Sequence, residues 1–151
     1  MPHGLGRFMN EGFGSLHRGM SQQAREDLIQ EMGAWLETRS EIVFAYVFGS
    51  FPCGEYFQDI DVALYVRPES FDHARDLEEE YVQFLSDGCK EIFHVVIINH
   101  APSSLACSIF REGRNLFCRD EHLLGDCIER CSLDMLANEG VSRQSLREIV
   151  S

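Results

Sequence analysis

The sequence predicts a single α/β domain, in which helices pack on a mixed sheet of three to four strands. Two observations predict this fold class. The chain has 151 residues, of which 44% are hydrophobic and 25% are charged, and these values are typical of one ordinary globular domain. Amphipathic segments with helical spacing also alternate along the chain with short apolar segments, and this alternation is typical of proteins in which helices cover a sheet.

The first helix and the first strand are predicted directly after residue 20. Ser21 is a suitable N-cap, and the apolar residues that follow it recur at helical spacing until the helix ends near Ser40. The run from Ile42 to Phe48 is apolar throughout and rich in β-branched and aromatic residues. Such a run is typical of a central strand that is covered on both faces.

The second strand is predicted from Asp59 to Val66. Apolar residues occupy every second position from Ile60 onward. Because successive side chains of a strand point to opposite faces, the apolar positions share one face, and Asp59 and Asp61 share the other.

Further elements are predicted after residue 66. Pro68 and Ser70 are expected to begin a helix that ends at Gly88. A third strand is predicted over residues 92–98, a short helix over 102–112, and an edge strand over 115–118. The last helix is predicted from about residue 120 to residue 137. Its predicted buried side consists of Leu124, Cys127, Ile128, Cys131 and Met135.

The domain organisation follows from these elements. Five glycines within residues 1–20 predict a flexible N-terminal extension. Residues 21–137 form the predicted domain, and residues 138–151 form a C-terminal tail. The alternative for the tail is one or two further helical turns.

The net charge restricts the kinds of ligand. Lys and Arg number 13 and Asp and Glu number 25, which gives a formal charge of −12. Such an acidic chain repels a nucleic-acid backbone, so we expect no nucleic-acid partner. A small nucleotide remains compatible, because metal ions can neutralise its charge.

The chain shows no signal for a membrane or for export. No apolar run approaches the ~20 residues that span a bilayer, and residues 1–20 lack the apolar centre of a signal peptide. We therefore expect no membrane partner and a cytoplasmic location, in which the six cysteines are reduced. Cys127 and Cys131 lie one helical turn apart, downstream of His122. Core thiols are the favoured interpretation, and part of a zinc site is the alternative.

The segment from Phe48 to Asp61 carries the predicted chemistry. An apolar strand ends in Gly49 and Ser50, a loop follows, and Asp59-x-Asp61 begins the next strand. Carboxylates two residues apart on a strand point the same way and can share divalent cations. Such cations can clamp the reacting oxygens of a phosphoryl displacement. Gly49 permits close approach of a ligand, and Ser50 with its neighbouring N–H groups can hold a phosphate.

The alternative for Asp59 and Asp61 is a pair of solvated acids on a wet sheet face. An isolated Asp-x-Asp is common at strand ends and is a weak signal. The combination of a buried strand, Gly-Ser, a loop and a second strand that shows both carboxylates favours a nucleotide and metal site.

This segment resembles the nucleotidyltransferase motif of the DNA polymerase β superfamily. It is most similar to the minimal nucleotidyltransferase (MNT) group, whose pattern is Gly-Ser, a spacer and Asp-x-Asp. The resemblance covers roughly residues 21–137, and it includes the strand that leads into Asn99-His100-Ala101-Pro102 and the segment from Gly113 to Glu121.

The resemblance implies a nucleotidyltransferase fold and an Mg²⁺-dependent activity with ATP or another NTP as donor. Asp59 and Asp61 would hold the metal ions, and Gly49 and Ser50 would bind the triphosphate. Proteins of this group often pair with a HEPN-type toxin, and some silence it by transferring AMP onto it. The resemblance therefore implies a toxin partner and an antitoxin role; homo-oligomers are possible as well.

Two features depart from the family pattern. The spacer between Ser50 and Asp59 is shorter than is usual in the family. The family's third carboxylate, which helps to hold a metal ion and to deprotonate the acceptor, falls on the third strand, where this chain has His94. Neutral imidazole can accept a proton or bind a metal ion, although Mg²⁺ prefers oxygen ligands. The alternatives for His94 are a catalytic role and an ordinary half-buried histidine.

Two functions from different classes remain after this comparison. The first is an active nucleotidyltransferase, in which Asp59, Asp61 and His94 are catalytic. The second is a binding module that has lost turnover through the change at His94 and neutralises its partner by occlusion.

Overall fold

A computed structural model of the chain describes residues 20–52, 57–70 and 74–138. The predicted extension and most of the predicted C-terminal tail lie outside these residues. The elements are α1 (Gln22–Glu37), β1 (Ile42–Phe48), β2 (Ile60–Val66), α2 (Ala74–Gly88), β3 (Phe93–Ile97), α3 (Ser103–Glu112), β4 (Arg114–Cys118) and α4 (Glu121–Asn138). Two 3₁₀ turns, Pro68–Ser70 and Ile98–His100, follow β2 and β3.

The four strands form one mixed sheet in the order β3-β2-β1-β4. Strand β1 pairs antiparallel with both β2 and β4, whereas β2 and β3 are parallel. The predicted mixed sheet is confirmed, and β4 lies at an edge as expected. Strand β1 is central and buried at every residue except Phe48, because helices cover both of its faces.

Each face of the sheet has its own hydrophobic core. Helices α1 and α2 cover the first face, which contains the apolar alternation of β2 from Ile60 to Val66. Helices α3 and α4 cover the second face, where Ala63 packs with Ile109. Asp61 and Ala63 point to the same face because they are two residues apart on β2. The aspartates therefore belong to the face that α3 and α4 cover.

The start of the second long helix differs from the prediction. Pro68 and Ser70 form a 3₁₀ turn, which is closed by the N–H of Ser70 donating to the carbonyl of Arg67 at 2.8 Å. Residues 71–73 lie outside the described part of the chain, and helix α2 is described over Ala74–Gly88.

Strand β3 is also shorter than predicted, because the side chain of Asn99 bonds to the end of β2. Its amide nitrogen donates to the carbonyl of Val66 at 2.8 Å, and its amide oxygen accepts from the N–H of Val66 at 3.0 Å. The chain therefore leaves β3 after Ile97 and enters a 3₁₀ turn.

The predicted buried side of the last helix is only partly right. Cys131 is buried in α4, but Ile128 is 37% exposed and Leu133 is 53% exposed. Helix α4 packs mainly on α3, so only a narrow stripe of its surface is covered. None of the helices in the described part of the chain has the length and apolar character needed to cross a membrane.

Candidate functional site

Three neighbouring strands bring the motif residues to one end of the sheet. Phe48, at the end of β1, lies opposite Asp61 near the start of β2. Asp61 in turn lies opposite His94 near the start of β3. The pairing register therefore places the Gly-Ser turn, both aspartates and His94 side by side. We call this group, Gly49, Ser50, Asp59, Asp61 and His94, the motif end of the sheet.

Both aspartates contact the same imidazole. The Nε2 atom of His94 lies 3.4 Å from Oδ2 of Asp59, and its Nδ1 atom lies 3.6 Å from Oδ1 of Asp61. Strand β2 begins at Ile60, so Asp59 directly precedes the strand, yet its carboxylate reaches the same side as that of Asp61. The side chains of both aspartates are 29% exposed, and that of His94 is 63% exposed. The three groups are accessible to a ligand.

Gly49 is required at its position for two reasons. Its φ angle is 79°, a left-handed conformation that glycine adopts without steric cost. A Cβ atom built on Gly49 would also lie 2.4 Å from Oδ2 of Asp61, which is closer than atoms can approach. The backbone of the turn therefore approaches the Asp61 carboxylate directly. The expected close approach of a ligand at Gly49 stays a prediction, and the protein group beside Gly49 is Asp61.

Ser50 follows Gly49 in an exposed turn. The turn continues through Pro52, and residues 53–56 of the spacer lie outside the described part of the chain. Ser50 is placed beside the aspartates through Gly49, and its role in binding a phosphate stays a prediction.

The pKa of the Asp61 carboxyl lies above its ordinary value. Partial burial is the main cause, since it penalises the charged form, and the negative charge of Asp59 raises the pKa further. A positive charge on His94 works in the opposite direction. A cation between the two carboxylates would relieve both their repulsion and the cost of burial.

The donor set of the motif end fits Mg²⁺ in one specific way. Within the ranges that the structure describes, no cluster of three or more His, Cys, Asp and Glu side chains is arranged to hold a metal ion. Mg²⁺, however, is commonly bound by one or two carboxylates together with substrate phosphates and water. Asp59 and Asp61 supply the two carboxylates, so a bound nucleotide would have to supply further oxygens.

The cysteines of α4 show the features of core thiols. The Sγ atom of Cys131 lies 3.0 Å from that of Cys107 on α3. Burial raises the pKa of Cys131 to about 12, and it also raises the pKa of Cys127. The favoured interpretation of the sequence therefore agrees with the environment of these thiols.

Sequence reasoning missed a buried arginine beside the motif. Arg25, in α1, is 4% exposed, and its Nη1 atom donates to the carbonyl of Phe51 at 2.9 Å. One signal was present: Arg25 lies three and four residues before Leu28 and Ile29, on the buried stripe of the helix. A charged residue on an apolar stripe indicates a partner inside the fold.

A mixed sheet with two aspartates beside a Gly-Ser turn defines a fold of the nucleotidyltransferase class. The family described as "Polymerase beta, Nucleotidyltransferase" matches residues 30–122, which is more than half of the chain. The chain belongs to this family. No curated protein sequence matches it.

Several solved structures share the fold. One chain of the toxin–antitoxin complex MntA–HepT has a TM-score of 0.58 and 17% identity over 82% of this chain and 97% of that one. One chain of a complex between the tri-AMPylated HEPN toxin of Shewanella oneidensis and an MNT antitoxin has a TM-score of 0.59 and 18% identity over 86% and 98% of the two chains. A toxin–antitoxin structure with AMP-PNP has a TM-score of 0.59 and 18% identity over 78% and 97%.

Proposed function

We propose that the protein is an Mg²⁺-dependent nucleotidyltransferase that transfers AMP from ATP to a hydroxyl group on a partner protein. The observation that carries the proposal is the motif end itself. There, Asp59 and Asp61 both contact His94, and the backbone at Gly49 lies against Asp61.

Each residue of the motif end has its own role in such a transfer. Asp59 and Asp61 would hold Mg²⁺, which would neutralise the triphosphate and polarise the phosphoryl group under attack. Gly49 lets the backbone of the turn lie beside the Asp61 carboxylate, and Ser50 with the N–H groups of the exposed turn donates hydrogen bonds to the phosphates.

His94, as a neutral imidazole, accepts the proton of the acceptor hydroxyl through its unprotonated nitrogen. The hydroxyl oxygen forms a bond to the α-phosphorus, the bond from that phosphorus to the oxygen bridging to the β-phosphate breaks, and pyrophosphate leaves. Imidazole as proton acceptor leaves both carboxylates free to hold the metal ion.

The choice of donor and acceptor rests on the structural neighbours. Their descriptions name an AMPylated HEPN toxin, an MNT antitoxin and AMP-PNP. We extend these to the present chain as a proposal: the donor is ATP, the acceptor is a HEPN-type toxin, and AMP transfer silences the toxin. A cytoplasmic location and self-association stay predictions.

A second candidate function is a binding module without turnover. The observation that favours it is His94, which stands where the family has a third carboxylate and is 63% exposed. In that case the protein would neutralise its partner by direct contact, and neutralisation would need neither nucleotide nor divalent cation.

Mass spectrometry of the toxin separates the two functions. The product of the neighbouring gene, as the candidate toxin, is incubated with the protein, Mg²⁺ and each NTP in turn, and the D59N/D61N variant is the control. We expect a mass gain of one AMP group with ATP for the wild type and none for the variant. Tight binding and neutralisation without any mass gain would overturn the proposal in favour of the binding module.

A further inference from the structure

Arg25 is the buried charged residue of the described part of the chain. Its side chain contacts Phe51, which directly follows the Gly49–Ser50 turn, and the residue is 4% exposed. A buried charge is costly unless it is paired or hydrogen-bonded, so a buried arginine at this position calls for a specific use.

The contacts of Arg25 converge on two phenylalanines of the spacer. The guanidinium donates to the backbone carbonyl of Phe51 at 2.9 Å. Its Cζ atom lies 5.5 Å from the centre of the Phe51 ring and 5.7 Å from that of Phe57. The two rings meet edge to face with their centroids 4.7 Å apart, and both are at most 1% exposed.

These phenylalanines lie next to the two halves of the motif. Phe51 directly follows Ser50, and Phe57 lies two residues before Asp59. Contact between their rings brings the two ends of the spacer together, and the guanidinium packs against both rings. A desolvated cation–π contact and a charged hydrogen bond are each stronger than their exposed equivalents. The cluster of Arg25, Phe51 and Phe57 is therefore a rigid base for the loop.

We propose that Arg25 is a positioning residue of the nucleotidyltransferase site. It holds the two ends of the spacer together, so that the Gly49–Ser50 turn keeps its place against Asp59 and Asp61. The inference rests on the proposed function, because the alignment of the turn with the carboxylates matters only if a nucleotide and a metal ion bind there. Misplacing a reactive group by about 1 Å can cost about 100-fold in rate.

The chain supplies a matched control in Arg39. Its guanidinium also lies over two rings, with Cζ 5.0 Å from the centre of the Tyr81 ring and 5.2 Å from that of Phe84. Arg39 precedes β1, whereas the motif turn follows it, so Arg39 lies at the opposite end of the sheet. Loss of Arg39 tests the effect of a lost arginine–aromatic cluster without a change at the motif.

Arg25→Met, Arg25→Lys and Arg39→Met are compared with the wild type in two measurements. The first is the calorimetric affinity for Mg²⁺ with α,β-methylene-ATP, a nucleotide that cannot release pyrophosphate. The second is amide hydrogen exchange without any ligand, at a temperature where all variants are folded.

We expect Arg25→Met to weaken the affinity for the nucleotide at least about tenfold. We also expect it to speed amide hydrogen exchange at residues 49–51 and 57–61. Arg25→Lys, which keeps the positive charge but lacks the planar guanidinium, should weaken the affinity and speed the exchange less than Arg25→Met does, but still measurably. Arg39→Met should change neither property at the motif, although it lowers the melting temperature.

The inference is overturned if Arg25→Met keeps both the affinity and the slow exchange of the wild type, or if Arg39→Met changes both as strongly as Arg25→Met does. If Arg25→Met does not fold, Arg25→Lys replaces it: wild-type affinity and exchange with lysine would then contradict a need for the planar, multiply donating guanidinium. A wild type that does not bind the nucleotide contradicts the proposed function instead, and the exchange measurement still decides the role of Arg25.

Discussion

The two ends of the sheet each have an arginine over aromatic rings and a pair of acids, but these groups are arranged differently. At the end opposite the motif, Arg39 lies over Tyr81, and its Nη2 atom is 3.0 Å from Oε2 of Glu41 and 2.6 Å from Oε2 of Glu80. The hydroxyl of Tyr81 also donates to Glu41. We call Arg39, Glu41, Glu80 and Tyr81 the ion-pair end. Its acids are matched by an arginine and a hydroxyl donor.

At the motif end the arginine and the acids are separated. Arg25 donates to a backbone carbonyl rather than to the aspartates, and the ion-pair partner that the structure gives Asp59 and Asp61 is the exposed imidazole of His94. Within the part of the chain that the structure describes, the acids of the motif end are thus paired with an imidazole, whereas those of the ion-pair end are paired with an arginine.

The pKa values of two partly buried acids reflect this difference. Burial acts to raise the pKa of Glu41, but the hydrogen bond from Tyr81 and the charge of Arg39 lower it below its ordinary value. Burial raises the pKa of Asp61, and the charge of Asp59 adds to the increase. Glu41 is therefore matched by an arginine and a hydroxyl donor within the protein, whereas the charge of Asp61 is not offset in this way. We expect this difference if Asp61 binds a cation and Glu41 stabilises the fold.

The largest expected effect is a difference in the rate of AMP transfer between a substitution at the motif end and one at the ion-pair end. Asp61→Asn should lower the rate of AMP transfer at least about 1000-fold, since about 4 kcal/mol of transition-state stabilisation corresponds to that factor. Glu41→Gln should leave the rate unchanged, because Glu41 lies at the ion-pair end. Initial rates with labelled ATP and the toxin measure both. Comparable losses in the two variants would mean that the ends are not functionally distinct.

A second expected effect tests the contact between Gly49 and Asp61. Gly49→Ala should lower the rate about 100-fold, because its Cβ would displace the Asp61 carboxylate. It should also cost about 1–2 kcal/mol of stability for a left-handed alanine.

Gly125→Ala is the matched control for this substitution. No atom lies within 4 Å of a Cβ built there, and alanine in a helix is favoured over glycine by up to about 1 kcal/mol. Rates and urea unfolding are measured for both variants. An active Gly49→Ala enzyme would show that the turn can move away from Asp61 without consequence.

A third effect concerns His94. If the imidazole takes the proton of the attacking hydroxyl, His94→Ala should lower the rate about 100-fold. This factor is at the lower end of the range for general bases. His94→Asp restores an oxygen ligand, and it should lower the Mg²⁺ concentration needed for half-maximal rate. The rate is measured against Mg²⁺ concentration. Wild-type rates for His94→Ala would identify His94 as an ordinary surface residue.

The smallest expected effect is a pH-dependent stability at the ion-pair end. Because the folded state lowers the pKa of Glu41, its stabilisation is present above its unfolded pKa of about 4.3. The stabilisation is lost as the pH falls through the folded pKa. Glu41→Gln should therefore be less stable than the wild type by about 1 kcal/mol at neutral pH.

The difference between these two proteins should be smaller at a pH below the lowered pKa of Glu41 than at neutral pH, because Glu41 is then protonated in the wild type. Urea unfolding at both pH values measures it, with Gln30→Glu as a control for the general effect of charge, since residue 30 is an exposed position of α1. A difference that is independent of pH would show that the ion pair does not stabilise the fold.

The features that the sequence predicts well are those that depend on neighbouring residues. The apolar run of β1 fixes a strand with the predicted bounds, Ile42–Phe48. Ser21 caps α1 as predicted, with its Oγ atom accepting from the N–H of Ala24 at 3.0 Å. The Gly-Ser and Asp-x-Asp pattern likewise identifies residues that the fold places together.

The features that the sequence does not predict depend on partners far along the chain. Arg25 binds Phe51, 26 residues away. The end of β3 depends on Asn99 and Val66, which are 33 residues apart. The exposure of Ile128 follows from the position of α4 on α3, and local spacing carries no information about that position.

Binding of Mg²⁺ and nucleotide tests the central claim most directly. Calorimetric titration of α,β-methylene-ATP into the wild type is compared with D59N/D61N, each with Mg²⁺ and with EDTA. We expect binding by the wild type that requires Mg²⁺ and that the double variant loses. Equal affinity in the two proteins, or binding that is unchanged by EDTA, would contradict the assignment of Asp59 and Asp61 as the acids that hold the metal ion beneath the nucleotide.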